Sequence, residues 1–238
     1  MKCRVILLGI VITGLLVGRG QDARSDSGFT SIGFELSGSI GSMSPDEFNE
    51  VFDRLGFEPI DRVYGLSAGV FFDPVPALRV FGTVGFMRGS TNKQQISLSD
   101  ANGMLIANTE WRYFVTSIPV AIGAGYRLAG DRVALVLSMA GEIHFVSVTS
   151  ETEASGEFEG YEKSSRSTSP GVSGTIGVEW KLTNISWIGL RGGYRLARTD
   201  LSFPDAPSLG ELSMDLNGVY GAVYVTIQPW FRGSQPTR

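Results

Sequence analysis

The residues best suited to chemistry are His144, the only histidine, and Glu142 two positions before it. A histidine beside a carboxylate can act as the general base of a serine hydrolase. On a strand, Ser138 shares a face with both, but at about 3.3 Å per residue it lies about 20 Å from His144. The Gly-x-Ser-x-Gly pattern at Gly65 to Gly69 lies inside a predicted strand and not at a strand-to-helix elbow, and the chain has no phosphate loop or Cys/His metal cluster. We therefore expect a protein that is not an enzyme and needs no cofactor or metal.

If the chain forms strands, the face that carries His144 also carries charged residues of both signs, among small side chains such as Gly, Ala, Ser and Thr. If that face is enclosed, its charges must be paired or must reach water. The polar interior of a narrow barrel satisfies this condition. We predict a lumenal charge network made of Glu35, Arg79, Glu142, His144, Glu179, Lys181, Arg191 and Arg195.

The strands that must position these residues are clearest at the end of the chain. From Gly218 to Phe231, aliphatic side chains alternate with small or polar ones, which is the period of a strand. About ten such residues, tilted, cross the hydrocarbon of a bilayer. The same alternation, interrupted by turn residues, recurs along the chain. We predict eight strands: Gly28 to Ile40, Arg62 to Phe72, Ala77 to Met87, Trp111 to Tyr126, Arg132 to Val148, Gly171 to Leu182, Ile185 to Ala197 and Leu212 to Phe231.

The predicted connections alternate in length. Asp73 to Pro76, Arg127 to Asp131 and Thr183-Asn184 are tight turns, whereas the segments around 41–61, 88–110, 149–170 and 198–211 are long. Short turns on one rim and long loops on the other are typical of outer-membrane barrels. The sequence therefore predicts an all-β, eight-stranded antiparallel up-and-down transmembrane β-barrel with short periplasmic turns and long extracellular loops.

Alternation does not say which face points inward, because a soluble lipocalin-like barrel encloses its apolar face. The opposite face decides, since a water-facing sheet carries many more Lys and Glu residues than this one. We assign the apolar face to lipid and expect an aromatic girdle at each membrane interface. The predicted girdle residues are Phe72, Tyr126, Trp180 and Phe231 at the short-turn rim, and Phe86, Phe114, Phe145 and Tyr194 at the other rim.

Composition agrees with a membrane barrel. The chain has 238 residues, 31 of them Gly, and only 18% are charged, yet no internal stretch is apolar enough for a transmembrane helix. Lys2 and Arg4 precede a short apolar run, which predicts a cleavable signal peptide over residues 1–23 and a single barrel domain over 24–238. Cys3, the only cysteine, would leave with the signal.

Two of the long connections have a character of their own. Ser44 to Gly56 carries an N-cap, a proline at the first helical position and an apolar stripe of Phe48, Val51, Phe52 and Leu55, which predicts a short helix. We expect this helix to be a lid on the barrel mouth, with a surface contact for a partner or for headgroups as the alternative. Thr149 to Ser169, rich in Ser, Thr and Glu, is predicted to be a solvated loop.

These features together resemble the small outer-membrane β-barrels, the group that includes the OmpA transmembrane domain and OmpX and the related outer membrane protein beta-barrel domain families. The resemblance covers Gly28 to Phe231. It depends on the signal, the strand pattern, the Ser117-Ile118-Pro119-Val120 strand followed by Gly125-Tyr126, and the aromatic-ended last strand. It implies insertion by the barrel assembly machinery, although seven residues follow Phe231, whereas the family pattern ends on the aromatic.

We therefore expect an outer-membrane protein with a structural or surface-interaction role, displaying its extracellular loops over a side-chain-filled polar lumen. Its expected partners are the outer-membrane bilayer with its lipopolysaccharide, the barrel assembly machinery and an unidentified loop-binding partner. The net charge of -4 gives no reason to expect nucleic acid. The alternatives are a lipid-modifying outer-membrane barrel enzyme and a secreted lipocalin-like barrel that binds an apolar ligand.

Overall fold

The computed structural model describes residues 31–43, 46–54, 56–75, 77–99, 105–130, 132–155, 161–202 and 211–231. The predicted signal peptide and the residues after Phe231 lie outside these ranges, as does the predicted start of the first strand at Gly28. One short helix, α1, spans Asp46–Arg54. The strands are β1 Ser31–Ser42, β2 Arg62–Val75, β3 Leu78–Ser90, β4 Gln94–Ser99, β5 Leu105–Ala129, β6 Val133–Ser155, β7 Tyr161–Lys181, β8 Ser186–Ser202, β9 Glu211–Asp215 and β10 Gly218–Phe231.

Eight of these strands close into a ring. Each of β1, β2, β3, β5, β6, β7, β8 and β10 pairs antiparallel with its neighbours, and β10 returns to pair with β1. At this seam Leu36 lies opposite Val225 and Ile40 lies opposite Gly221. The short strands β4 and β9 pair with β5 and β8 beyond the ring. The predicted eight-stranded antiparallel barrel is confirmed.

The outer wall of the barrel is apolar and uncovered. Large aliphatic side chains are exposed on every strand of the ring, reaching 70% for Leu66 and 72% for Ile122. Leu137 and Met139 also face outward, so the lipocalin-like alternative, which required an apolar interior, is wrong. Within the described residues, no helix is both long enough and apolar enough to cross a bilayer. The exposed band suits lipid and would be unfavourable in water.

Glycines on the inner face make room for large aromatic side chains in a narrow interior. A Cβ atom on Gly123 would lie 2.4 Å from the Phe81 ring, and one on Gly189 would lie 2.3 Å from the Tyr224 ring. Because both distances are far below van der Waals contact, alanine does not fit at either position without moving the ring. The small residues of the sequence thus pack against aromatic residues from neighbouring strands.

The strands on the long-loop side extend much further than their alternation predicted. The segments 88–110 and 149–170 are mostly strand, because β5 begins at Leu105, β6 continues to Ser155 and β7 begins at Tyr161. The prediction of a solvated loop from Thr149 to Ser169 is therefore wrong. Ser, Thr and Glu on this segment mark strands that lie beyond the lipid-facing band, where no lipid enforces an apolar alternation.

Two predicted turns also prove to be strand. β2 continues to Val75 and β5 continues to Ala129, so Asp73 and Arg127 belong to the barrel wall. Pro119 lacks an N–H within a strand, which implies either a bulge or a water-satisfied carbonyl. It causes no register shift, because Val84 lies opposite Val120 and Met87 opposite Ser117 in one continuous register. Pairs are missing only between these two points, since proline has no N–H to donate to the ladder.

Helix α1 lies over the long-loop mouth of the barrel, as the lid prediction required. Phe48 is fully buried, and Val51 on the same stripe is half-buried. Leu55 and the Phe52 side chain lie outside what the structure describes. Phe48 belongs to an apolar cluster, here called the plug, that fills the upper lumen: Met43, Phe48, Phe57, Ile60, Val63, Val115, Val146, Val148, Ala197, Leu201, Met214 and Leu216.

Two lysine substitutions on one face of β5 test the lipid exposure of the outer wall. Ile122→Lys places a cation near mid-membrane and should lower the free energy of unfolding by about 2–4 kcal/mol. Leu128→Lys, close to the short-turn interface, should cost about 0–1 kcal/mol. Urea unfolding in phospholipid vesicles measures both values. Equal and small effects would show that this face meets water.

Candidate functional site

The polar interior is the candidate site, and its lower part is a four-residue cluster near the short turns. Glu179 on β7 is fully buried and accepts hydrogen bonds from Arg79 at 3.0 Å and from Arg127 at 2.7 Å. Arg79 also donates to Asp73 at 2.9 Å, and Gln228 donates to the same carboxylate at 3.0 Å. The guanidinium groups of Arg79 and Arg127 lie over the rings of Phe71 and Trp187. This lower cluster holds two acids and two arginines in direct contact.

The middle of the lumen holds a single ion pair. Arg191 Nη1 on β8 lies 2.7 Å from Glu35 Oε1 on β1, so the pair spans the interior between strands separated by β10. Arg191 also donates to Ser37 at 3.2 Å and lies over the Tyr224 ring. The pair links the first strand of the ring to its last part across the lumen.

The upper cluster, directly below the plug, contains the histidine. Glu142 accepts a hydrogen bond of 2.7 Å from Arg195 and one of 2.5 Å from Ser173. His144 Nε2 lies 2.8 Å from Glu142, and His144 Nδ1 lies 3.1 Å from the Ser117 hydroxyl. Serine, histidine and carboxylate therefore form a hydrogen-bonded chain. Sequence reasoning tested Ser138 as the serine, whereas the partner is Ser117 on the adjacent strand β5, where Pro119 lies opposite His144.

This chain resembles a catalytic triad in connectivity, but its three side chains are buried. His144 is fully buried, and Ser117 and Glu142 are almost so. Glu142 already has Arg195 and Ser173 as partners. A nucleophile needs a site about 3 Å away where a reacting atom can lie, and neither Ser117 nor His144 lines a described cavity. The geometry favours a structural network.

Charge is balanced inside the described lumen. Four carboxylates, Asp73, Glu179, Glu35 and Glu142, pair with the four arginines 79, 127, 191 and 195. Each charge thus has an oppositely charged neighbour, as burial requires. Arg127 Nη2 and Arg191 Nε are buried without a protein hydrogen-bond partner. Two interior cavities of about 80 and 30 Å³ are large enough for a few waters only.

Of the predicted network, seven residues lie in these clusters and one does not. Lys181 is exposed at the end of β7, so its assignment to the lumen is wrong. β7 ends at Lys181 on the short-turn rim, so the side chain at this position reaches solvent instead of the lumen. Asp73 and Arg127 were missed because Pro74 and Gly130 beside them signalled turns. Their parity with Phe71 and Gly125 would have placed them inward if the strands had been extended.

Most of the aromatic residues predicted for the girdles lie on the outer wall, but not all of them do. Phe72, Trp180, Phe86, Phe145 and Tyr194 are exposed on the outer wall, and Tyr126 is half-buried. The Phe231 side chain lies outside what the structure describes. Phe114 is wrong as a lipid-exposed girdle residue, because it is only 7% exposed. The guanidinium groups of Arg88 and Arg112 lie over its ring and cover it.

No protein-family model matches the chain, and no curated protein matches it by sequence. Solved structures of outer-membrane proteins are similar to it in architecture. Ail from Yersinia pestis shares 11% identity over 86% of this chain and 99% of its own, with a TM-score of 0.38. Neisserial surface protein A shares 16% identity over 85% and 97%, with a TM-score of 0.39. OprG from Pseudomonas aeruginosa shares 11% over 85% and 96%, with a TM-score of 0.45.

The closed ring and its apolar outer surface indicate the membrane in which the protein lies. A closed ring leaves no ladder edge unpaired, and its outside is an uncovered apolar band. Only helices and closed barrels satisfy the backbone within hydrocarbon. Barrels with short turns on one rim and long hairpins on the other belong to outer membranes. The protein is an integral protein of the cell outer membrane.

Removing the shared carboxylate tests the lower cluster. Glu179→Ala leaves Arg79 and Arg127 buried without their common partner, and should lower the free energy of unfolding by about 3–5 kcal/mol. Lys181→Ala, two residues away and exposed, should change it by less than about 0.5 kcal/mol. Both are measured by urea unfolding in vesicles. A loss below about 1 kcal/mol for Glu179→Ala would contradict the buried network.

Proposed function

We propose that this protein is a non-enzymatic outer-membrane barrel that presents a rigid β-sheet head on the cell surface as an interaction surface. The head is the part of β4, β5, β6 and β7 beyond the apolar band, over residues 94–99, 105–113, 149–155 and 161–168. The observation that carries the proposal is the unbroken β5–β6 ladder, which continues from Ala129 opposite Ala134 to Asn108 opposite Ser155.

The reach of the head follows from strand geometry. On β6 the apolar outer residues end at Phe145, and the strand continues for ten more residues to Ser155. At about 3.3 Å per residue this is about 30 Å of strand beyond the band. A continuous ladder holds this length in one conformation, whereas a flexible loop would lose conformational entropy on binding a partner. Preordered strands therefore suit recognition.

Charged side chains connect the strands of the head. Lys93, at the start of the β4 hairpin, donates to Glu110 on β5 at 2.8 Å and to Glu153 on β6 at 3.3 Å. The hydrogen bond to Glu110 and the second acid raise the pKa of Lys93 above its ordinary value. Inside the head base, Phe57 and Tyr113 pack edge to face with ring centroids 5.0 Å apart. The loop after α1 is thereby attached to β5.

The closed interior supports a role outside the lumen. The plug and the three charged groups below it fill the described lumen apart from two small cavities. General diffusion through such an interior would require breaking several buried ion pairs. The burial of the Ser117–His144–Glu142 chain likewise argues against catalysis in the lumen, because neither Ser117 nor His144 lines a described cavity.

Cysteine labelling tests the orientation and exposure of the head. Glu153→Cys in the head should react with a membrane-impermeant maleimide on intact cells, because this side chain is exposed on the long-hairpin side. Arg132→Cys, exposed in the β5–β6 turn, should react only after the outer membrane is opened. The reverse labelling pattern would show that the head is periplasmic.

Two substitutions test whether the serine and histidine catalyse a reaction. Ser117→Ala and His144→Gln should leave the phospholipid and lipid A composition of expressing cells unchanged, because the chain they form is buried and structural. Each should instead lower the free energy of unfolding by about 1–3 kcal/mol through lost buried hydrogen bonds. Mass spectrometry of extracted lipids provides the readout. A deacylated or transferred acyl product that disappears in both variants would establish the enzyme.

A further inference from the structure

Two arginines on the outer wall lie against one aromatic ring. Arg88 on β3 lies 3.9 Å from the Phe114 ring centroid and Arg112 on β5 lies 4.7 Å from it. Among the described residues, neither arginine forms a salt bridge, and Arg112 donates to the Ser90 hydroxyl at 3.2 Å. Arg112 Nε is buried without a hydrogen-bond partner. Glu151 lies directly opposite Arg112 on β6, whereas Arg88 is exposed and has Tyr64 and Thr116 opposite it. Arg88 is therefore the cation of this pair that is suited to an outside anion.

The pair lies at the upper edge of the lipid-facing band. Arg88 lies opposite Tyr64 on β2 and opposite Thr116 on β5, and it shares the outward parity of Phe86 and Val84. It is two residues from the end of β3, on the side of the long hairpins. In an outer-membrane barrel this is the level of the headgroups of the external leaflet. The anion that meets these arginines is therefore a lipid headgroup.

An apolar groove of about 710 Å³ begins at Arg88 and runs across the outer wall. The register places its lining in two parallel rows perpendicular to the strands. The first row contains Arg88, Tyr64, Ile40 and Gly221 and continues beyond the groove lining to Gly192, which is paired with Gly221; the second contains Phe86, Leu66, Gly38, Val223 and Leu190. Arg88 is the only charged side chain in these rows, so the groove has a cationic end and apolar walls.

Outward glycines form the floor of the groove. Gly221 lies directly opposite Gly192, and a Cβ atom on Gly221 would meet no heavy atom within 4 Å. A Cβ atom on Gly192 would come no closer than 3.9 Å to another residue, and one on Gly38 would lie 3.8 Å from Leu66. Unlike the inner glycines, these do not accommodate protein side chains. They leave a hollow that a chain from outside can fill.

The groove descends into the membrane from its cationic end. Arg88 lies ten residues from the start of β3 at the short-turn rim, whereas Gly192 lies six residues from the start of β8. Four residues of strand correspond to about 13 Å along the strand. The four strand steps from β3 to β8 add about 19 Å across the wall. The offset of about 13 Å along the strands is comparable with the ~15 Å depth of one leaflet, which suits an acyl chain whose headgroup stays at Arg88.

We propose that this surface, the Arg88 groove, is a specific binding site for a phosphorylated, acylated lipid of the external leaflet. A phosphate group accepts hydrogen bonds from the exposed Arg88 guanidinium and from the Arg112 guanidinium group beside it. One acyl chain lies in the hollow over Gly38, Gly192 and Gly221. Guanidinium groups suit this role because their planar donors match phosphate oxygens. The site goes beyond the proposed head function, since it lies on the barrel wall.

A second copy of the chain fits this groove less well. A two-fold dimer in a membrane places the same patch of both copies face to face at the same depth. The cationic ends at Arg88 would then approach one another without an intervening carboxylate, which is unfavourable at the edge of a low-dielectric region. A phosphorylated lipid removes that repulsion.

Native mass spectrometry of the full chain in detergent tests the site, with bisphosphorylated lipid A as the probe and the same lipid after phosphate removal as its comparison. The variant Arg88→Gln/Arg112→Gln should weaken lipid A binding at least roughly tenfold, because the phosphate then has no guanidinium group to donate charge-assisted hydrogen bonds to it. The control Arg132→Gln/Lys181→Gln removes the same charge at the opposite rim and should bind normally. A heat-dependent shift in electrophoretic mobility confirms that each variant is folded, and Arg88→Gln alone replaces the double variant if that fails to fold.

A second pair of variants tests the hollow. Gly221→Leu should fill it and weaken lipid A binding several-fold, to an extent set by how many acyl contacts are lost. Gly141→Leu is the matched control, because Gly141 is also an outward glycine at which an added Cβ atom would meet nothing within 4 Å, and it does not line the groove. Equal binding by all variants, equal binding of the phosphate-free lipid, or a dimer that only Gly221→Leu disrupts would each overturn the proposal.

Discussion

Pairing of the first and last strands is the constraint on which the structure depends. Within hydrocarbon an unpaired ladder edge leaves N–H and C=O groups without water, at a cost of several kcal/mol each. The β1–β10 seam removes both edges at once. Once the ring is closed, its outward residues must be compatible with lipid, and its inward residues must fill a narrow space. Strand parity then determines whether a side chain meets lipid or the lumen.

The interior satisfies this requirement by combining small residues, aromatic rings and balanced charges. Arg79, Arg127, Arg191 and Arg195 each have a carboxylate in reach, and several also lie over aromatic rings. A buried ion pair often contributes little net stability compared with an apolar core, but removal of one partner is costly. The lumen is therefore a fixed polar core, and the surfaces available to other molecules are the head and the outer wall.

Alternation was sufficient to predict the ring, because lipid on one side and a packed lumen on the other enforce period two. It failed where that constraint ends. Above the membrane no lipid contacts β5 and β6, so Thr149 and Glu153 carried no apolar alternation although they lie on a strand. At the short rim, Pro74 and Gly130 indicated turns although the ladder continues beside them. The Ser117–His144 contact and the covering of Phe114 depend on lateral register and side-chain reach, which no single strand reveals.

The most direct test of the account is a cysteine pair across the seam in an otherwise cysteine-free chain. Leu36→Cys with Val225→Cys should form a disulfide on oxidation in membranes, because directly opposed strand residues have Cα atoms about 4.5–5.5 Å apart. Leu36→Cys with Val219→Cys, six residues further along the same face, should not. Efficient cross-linking of the first pair alone, seen as altered mobility on a non-reducing gel, is the result that closure at this register predicts. Failure of that pair, or equal cross-linking of the second pair, would contradict it.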